Sequence, residues 1–125
     1  MNFPSNILYT AHDEWVLREG NKIRVGISDY AQDALGELVH VELPKLGATV
    51  QAGAAVAEVE SVKAVAEVYT PVSGKIVAIN DDLDGNENLV NQDPYGAGWL
   101  FEIEATDASG LDALLDVAAY KSKVG

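Results

Sequence analysis

The segment from residue 54 to residue 79 reads AAVAEVESVKAVAEVYTPVSGKIVAI. Valine and isoleucine recur along it between small alanines and glycines, and β-branched residues favour strands. Two such runs, 54–60 and 65–70, lie on either side of the tetrapeptide 61–64. The pattern therefore predicts two antiparallel strands joined by a turn at 61–64. Lys63 would lie at the tip of that hairpin.

Upstream of this hairpin, turn residues separate further short elements. Strands are predicted at 15–18 and 22–27 around the turn Glu19-Gly20-Asn21. Ser28 or Asp29 can cap a short helix at 29–35, which Gly36 would end.

The strand predicted at 37–43 would place Val39, Val41 and Leu43 on one face and His40 on the other, solvent-facing side.

Downstream, the elements become less regular. The turn Pro71-Val72-Ser73-Gly74 has glycine where a positive φ would be needed. A late strand is predicted at 99–103, and one or two short helices follow between Leu111 and Tyr120. Together the patterns predict a mainly β chain with a small barrel-like core and short peripheral helices.

Length and composition limit the function classes. The chain has 125 residues and 13.3 kDa, which predicts one domain spanning 1–125. It has no cysteine, which excludes disulfides, cysteine–zinc sites and thiol nucleophiles, and only two histidines. We therefore expect no metal site and few side chains suited to catalysis.

The charge balance limits the partners and the location. Twenty acidic residues against eight basic ones give a net charge of -12. Such a field repels phosphates and anionic lipids, so we expect neither nucleic acid nor a membrane as a partner. The first residues have the character of neither a signal segment nor a transit segment. We expect a cytoplasmic location, most simply bacterial; a mitochondrial one would require a transit peptide that has been removed.

Glu60-Ser61-Val62-Lys63-Ala64, followed by Tyr69-Thr70-Pro71-Val72-Ser73-Gly74, resembles the lipoyl attachment segment of the glycine cleavage system H proteins. Other blocks of the chain resemble this family in the same order, namely Glu14-Trp15-Val16, 25–32, 35–36, 41–44, 91–96 and 98–100. The resemblance runs from about residue 7 to residue 120, and several ordered blocks are far more specific than an isolated Val-Lys-Ala.

The resemblance implies a flattened barrel or sandwich of two small sheets, with lipoate joined by an amide to Lys63. It implies four kinds of partner. Glycine decarboxylase, with pyridoxal phosphate, would load an aminomethyl group, and an aminomethyltransferase would pass the carbon to tetrahydrofolate. Dihydrolipoamide dehydrogenase, with FAD and NAD, would reoxidise the arm, and a lipoate ligase or octanoyltransferase would attach it. The chain itself would be a monomeric, non-catalytic carrier.

Two carboxylates are candidates for holding the carried amine. Glu14 matches a carboxylate that the family places near the cleft for the arm. Glu67 stands four residues after Lys63, where the family often has aspartate. The sequence departs from the family at Asp13, where a histidine is usual, and has His12 one place earlier.

Other functions remain open from the sequence alone. Lys63 could be an ordinary surface lysine at a strand edge. The chain could be a lipoyl or biotinyl domain of another multienzyme complex, although biotinyl lysines usually lie between methionines. It could be an H-like protein that relays lipoyl groups to other enzymes. A small acidic enzyme would have to use Glu14 with His12 or His40, and their spacing does not support this.

Overall fold

A computed structural model describes residues 1–124 and shows mainly β structure. The strands are β1 Leu8–Tyr9, β2 Glu14–Glu19, β3 Lys22–Ile27, β4 Leu38–Glu42, β5 Thr49–Val50, β6 Ala55–Ser61, β7 Val65–Tyr69, β8 Ser73–Ile79 and β9 Phe101–Asp107. The helices are α1 Asp29–Leu35, α2 Leu89–Gln92 and α3 Val117–Val124, with single 3-10 turns at Asp81–Leu83 and Ser109–Ala113. No helix within 1–124 has the length and apolar character needed to cross a membrane.

The strands form two antiparallel sheets. The larger has six strands in the order β1-β2-β3-β9-β8-β5, and the smaller has three in the order β4-β6-β7. The predicted fold class, a mainly β sandwich of two sheets with short outer helices, is confirmed. Within residues 1–124 the sheets do not close into a barrel, so the sandwich description is the accurate one.

The main core lies between the two sheets. Alternate side chains of β3 face it, and β6 and β7 contribute from the other side; the fully buried members include Ile23, Val25, Val59 and Val68. Each such burial contributes about 1.5–3 kcal/mol.

A second cluster covers the opposite face of the large sheet. Tyr9 and Tyr120 stack with ring centroids 4.3 Å apart and planes 1° apart, which fixes α3 against β1. Trp15 lies beside them in the same cluster, over Gly26. A Cβ atom at Gly26 would come within 2.5 Å of the Trp15 indole, so glycine is needed there.

The predicted helix at 29–35 is confirmed, and so are the residues predicted to begin and end it, Ser28 and Gly36. Ser28 Oγ accepts a hydrogen bond from the N–H of Ala31 at 3.2 Å, as an N-cap does. Gly36 follows with φ 84°, where a side chain would be strained. The C-terminal helix is also confirmed, and it continues past the predicted Tyr120 to Val124.

Two local predictions were wrong. Val39 is 50% exposed because a β-bulge between Leu38 and His40 breaks the alternation of β4. Gly74 has no positive φ and lies inside β8 instead of a turn. Its Cβ atom would overlap the carbonyl oxygen of Glu104, so the close approach of β9 requires the glycine.

Candidate functional site

Lys63 lies at the tip of the β6–β7 hairpin, where the sequence predicted it. The turn is closed by the N–H of Ser61, which donates to the carbonyl of Ala64 at 2.8 Å. The buried Ser61 Oγ accepts from the N–H groups of Lys63 and Ala64 at 3.3 and 3.1 Å. These bonds fix the backbone on both sides of the exposed pair Val62-Lys63, so the tip presents its lysine from a defined position.

The stem of Lys63 lies against the end of α1. A Cβ atom at Gly36 would be 3.4 Å from Lys63 Cε, an ordinary van der Waals contact, which shows how closely the stem approaches the end of α1. The tip and the end of α1 enclose a shallow hollow lined by Leu35, Gly36, Glu37, Ser61, Val62 and Lys63.

A second, mostly apolar groove of about 200 Å³ begins on the other side of Leu35. Residues from both sheets and from α1 line it: His12, Asp13, Glu14, Ile27, Ala31, Ala34, Leu35, Val59, Ala66, Glu67 and Val68. Leu35 lines both the hollow and the groove, so the hollow beside Lys63 adjoins the groove at the end of α1.

Glu14 is the buried charged group of this groove, with 1% of its surface exposed. Thr10 Oγ1 donates to its Oε1 at 2.6 Å, and the N–H of Tyr69 donates to its Oε2 at 2.8 Å. Burial raises the pKa of the Glu14 carboxyl above its usual 4.5, while these two hydrogen bonds oppose the rise. The carboxylate thus bridges β2 of the large sheet and β7 of the small one.

Glu67 lies at the solvent-exposed side of the same groove. Tyr69 Oη donates to Glu67 Oε2 at 3.2 Å, and the negative charge of Glu67 raises the pKa of that phenol. The Tyr69 ring in turn contacts the His12 ring, with centroids 4.5 Å apart. The structure therefore brings both sequence-predicted carboxylates to one groove, with His12 on its lining.

His40 does not belong to the groove. It lies on β4 opposite Glu60 and is exposed, as the sequence predicted. The pairing of Glu14 with His40 that an acidic enzyme would need is therefore not formed. Within residues 1–124 no group of three or more histidine or carboxylate side chains is arranged to hold a metal ion.

Sequence reasoning missed the partners of Glu14. Thr10 lies in a polar turn before β2, which is a weak local signal for a hydrogen bond to a residue four positions later. The N–H of Tyr69 is 55 positions from Glu14, and a backbone donor leaves no mark in the sequence. The Asp13 carboxylate accepts hydrogen bonds from Tyr120 and Lys123 of α3, and these partners, 107 and 110 positions away, left no local signal either.

Known proteins resemble the chain over nearly its whole length. The family model described as glycine cleavage H-protein matches residues 7–125. The glycine cleavage system H protein of Thermus thermophilus is 51% identical over 97% of this chain and 94% of its own length. That of Mycobacterium avium is 50% identical over 96% and 95%.

A solved structure agrees with these matches. The crystal structure of a glycine cleavage system H protein from Mycobacterium marinum superposes with a TM-score of 0.88 at 38% identity, covering 97% of this chain and 98% of the other. With a family model over most of the chain and relatives at half identity over almost all of it, this chain belongs to the glycine cleavage H-protein family.

Proposed function

We propose that this chain is a lipoyl carrier of glycine cleavage, with lipoate joined by an amide to Lys63 Nζ. The observation that carries the proposal is the position of Lys63, on a fixed hairpin tip beside an apolar groove that contains a buried carboxylate. A surface lysine of no special role needs neither a fixed turn nor an adjoining apolar groove.

The chemistry of the attachment fits this site. Amide formation removes the lysine charge, so the arm can enter apolar surroundings without the free-energy penalty of burying an ammonium. Ile27, Val59 and Val68 on the groove lining offer apolar contacts to its hydrocarbon chain. Tethering also keeps the dithiolane at an effective concentration on the order of mM near the groove.

A loaded aminomethyl group would bring a cationic amine to Glu14 and Glu67. Each ionised carboxylate has about four lone-pair positions, and Glu14 uses two of them for Thr10 and Tyr69. An ammonium could therefore bond to Glu14 without displacing either donor. Its positive charge would favour the ionised form of Glu14, against the effect of burial.

The carrier role is that of a shared substrate. Glycine decarboxylase would load the arm, the tetrahydrofolate-dependent aminomethyltransferase would unload it, and dihydrolipoamide dehydrogenase would reoxidise it. We assign this chain, as a single domain over residues 1–125, no catalytic step of its own. The net charge of -12 would steer it towards basic surfaces on these enzymes. The relatives named above are bacterial, which fits a bacterial cytoplasm.

Intact mass tests the attachment site. The chain is expressed with lipoate and a lipoate ligase, beside Lys63→Ala and the control Lys75→Ala. Lys75 is exposed on β8 of the other sheet. We expect one lipoyl increment on the wild type and on Lys75→Ala, and none on Lys63→Ala. An increment on all three, or on none, would contradict the assignment.

A second measurement separates glycine cleavage from the relay of lipoyl groups to other enzymes. Glycine decarboxylase is added to the lipoylated chain, and exchange of carbon between bicarbonate and the glycine carboxyl group is followed. We expect exchange that depends on Lys63. A lipoylated chain that supports no exchange but donates its lipoyl group to another lipoyl domain would identify the relay instead.

A further inference from the structure

The hydroxyl group of Tyr120 lies between two walls of the groove, although Tyr120 belongs to the C-terminal helix α3. One wall is the turn that contains Asp13, and the other is α1, which begins after Ser28. Tyr120 Oη donates to Asp13 Oδ1 at 3.1 Å and lies 2.6 Å from Ser28 Oγ. One side chain near the end of the chain is therefore hydrogen-bonded to both walls.

The directions of these bonds follow from the available protons. A phenol has a single proton, and an ionised carboxylate only accepts. Because the Tyr120 proton goes to Asp13, the Ser28 hydroxyl must donate to Tyr120 Oη, while Ser28 Oγ accepts from Ala31 at the start of α1. Burial raises the pKa of the Tyr120 phenol above its ordinary value of 10.0, so this donor keeps its proton at neutral pH.

Asp13 is held in an unusual conformation by these contacts. It is the only non-glycine residue within 1–124 with a positive φ, 68°. Such conformations persist where the surroundings fix them. The Asp13 N–H donates to the Thr10 carbonyl at 3.2 Å, and its own carbonyl accepts from the Ser28 N–H at 2.9 Å. Its carboxylate accepts from Tyr120 and, at 3.3 Å, from Lys123.

The position of Asp13 affects Glu14 directly. The turn that ends at Asp13 begins at Thr10, whose hydroxyl donates to the Glu14 carboxylate and accepts from the N–H of Glu14. A displacement of this turn would move Glu14 and widen the groove on that side. Tyr120 opposes the displacement because its hydroxyl adds a side-chain connection between the turn and the start of α1 to the backbone bond from Ser28 to Asp13.

We propose that Tyr120 is a positioning residue that fixes the separation of these two groove walls and so limits the access of water to the group carried in the groove. The inference rests on the proposed function, because the carried group is an aminomethyl thioether. Water converts R–S–CH2–NH3⁺ and H2O into R–SH, formaldehyde and ammonium, breaking the C–S and C–N bonds without any transfer of electrons.

Tyr120→Phe removes only the hydroxyl, and Tyr9→Phe is its matched control. Tyr9 belongs to the same ring stack, but its hydroxyl donates to the Pro4 carbonyl, which is not on the groove lining. The readout is the first-order release of formaldehyde from lipoylated, aminomethyl-loaded protein. Tyr120→Phe loses the hydrogen bonds to both Asp13 and Ser28, and one hydrogen bond corresponds to a factor of about five. We therefore expect release at least about fivefold faster in Tyr120→Phe and an unchanged rate in Tyr9→Phe.

Asp13→Gly is a second variant, because glycine keeps the positive φ and removes the carboxylate. It should accelerate release like Tyr120→Phe, and the double variant should be no faster than either single one. If Tyr120→Phe does not fold, Asp13→Gly decides the question. Equal rates in Asp13→Gly and wild type, or an equal acceleration in Tyr9→Phe, would overturn the inference.

Hydrogen exchange of the Ser28 amide separates this inference from the proposed function, since it is measured on the unmodified chain. We expect faster exchange in Tyr120→Phe and Asp13→Gly than in wild type and Tyr9→Phe. Unchanged exchange would overturn the inference and leave the carrier role intact. Failure of lipoylation would overturn the carrier role, while the exchange measurement would still decide whether Tyr120 fixes the groove walls.

Discussion

Glu14 is the one charged side chain that is buried within residues 1–124, and almost none of its surface is exposed. Its two hydrogen bonds compensate only in part, because burial still raises its pKa. The folded state therefore takes up a proton at Glu14 more readily than the unfolded chain does. Glu14 consequently destabilises the empty protein at neutral pH, which is consistent with a group kept for binding a cation.

The raised pKa of Glu14 predicts how the unfolding free energy of Glu14→Gln depends on pH compared with wild type. Between the ordinary carboxyl value of 4.5 and the higher folded pKa, the native state binds more protons, so stability due to Glu14 falls as pH rises. Glutamine cannot titrate and can still bond to Tyr69 and Thr10. We expect wild type to lose more unfolding free energy than Glu14→Gln when pH is raised from 4.5 to about 7.

Urea unfolding at a series of pH values measures this difference. Other carboxylates titrate over the same range, but they are common to both proteins and cancel in the comparison. Glu67→Gln is the control, since it replaces an exposed carboxylate on the lining of the same groove. Parallel curves for wild type and Glu14→Gln would show that burial does not raise the Glu14 pKa.

At the residue scale, the sequence predicted the place of Lys63 at a hairpin tip, and the resemblance to a family predicted that Glu14 lies near a cleft. The attachment of lipoate to Lys63 stays a prediction. The sequence could not show what holds Glu14. A backbone donor such as Tyr69 N–H is chemically the same at every position, so only the folded chain reveals which one it is. The Tyr120 hydroxyl reaches Asp13 across 107 positions, beyond any local pattern.

The two sheets differ in how they arrange charge across their strands. In the small sheet, three glutamates lie opposite one another on neighbouring strands, Glu42, Glu58 and Glu67. In the large sheet, the corresponding row alternates in sign, with Glu104 opposite both Lys22 and Lys75. Like charges directly opposite destabilise a sheet. The outer face of the small sheet therefore retains an electrostatic strain that the large sheet avoids.

Glu58→Lys should relieve this strain, because it would place a cation between two carboxylates. We expect the free energy of unfolding to rise by roughly 1 kcal/mol at low salt, with the gain shrinking as salt screens the charges. Thermal and urea unfolding at low and high ionic strength measure it. Glu104→Lys is the matched control, since it would create a row of three lysines and should destabilise. A shift of the same sign in both variants would mean that strand propensity dominates over charge.

At the element scale, the sequence predicted structure best where residues act locally. The hairpin around Lys63, the Ser28 cap and the Gly36 stop all depend on neighbouring residues and are confirmed. The bulge at Val39 was not predictable, because it depends on the register of β4 against β6. The role of Gly74 depends in the same way on how closely β9 approaches. Such features arise from pairing between distant segments.

The groove crosses the boundary between the two sheets. Glu14 and Ile27 come from the large sheet, whereas Val59 and Glu67 come from the small one. The bond from the Tyr69 N–H to Glu14 already joins the sheets at this boundary. A group seated in the groove would contact both sides at once.

The melting temperature should therefore report what the chain carries. A seated group stabilises only the folded state, and a gain of about 1 kcal/mol corresponds to roughly 4 °C for a chain of this size. We expect the aminomethyl-loaded form to melt highest, the empty lipoylated form next, and Lys63→Ala to match the unmodified wild type. Calorimetry of the three wild-type states and the variant measures this order, and identical temperatures would indicate that the arm stays in solvent.

The position of the groove, between the two sheets, has a consequence for the lifetime of the chain against unfolding and proteolysis. Under the proposed function, a group bound in the groove would contact both sheets and stabilise the folded chain, which would lower its exposure to proteases. The chain without that group would lack this protection. The rate at which the chain is degraded would then depend on the glycine concentration. When glycine is plentiful, more copies would be loaded and would be degraded more slowly. The lifetime of the chain would then depend on the fraction of copies that carry the group.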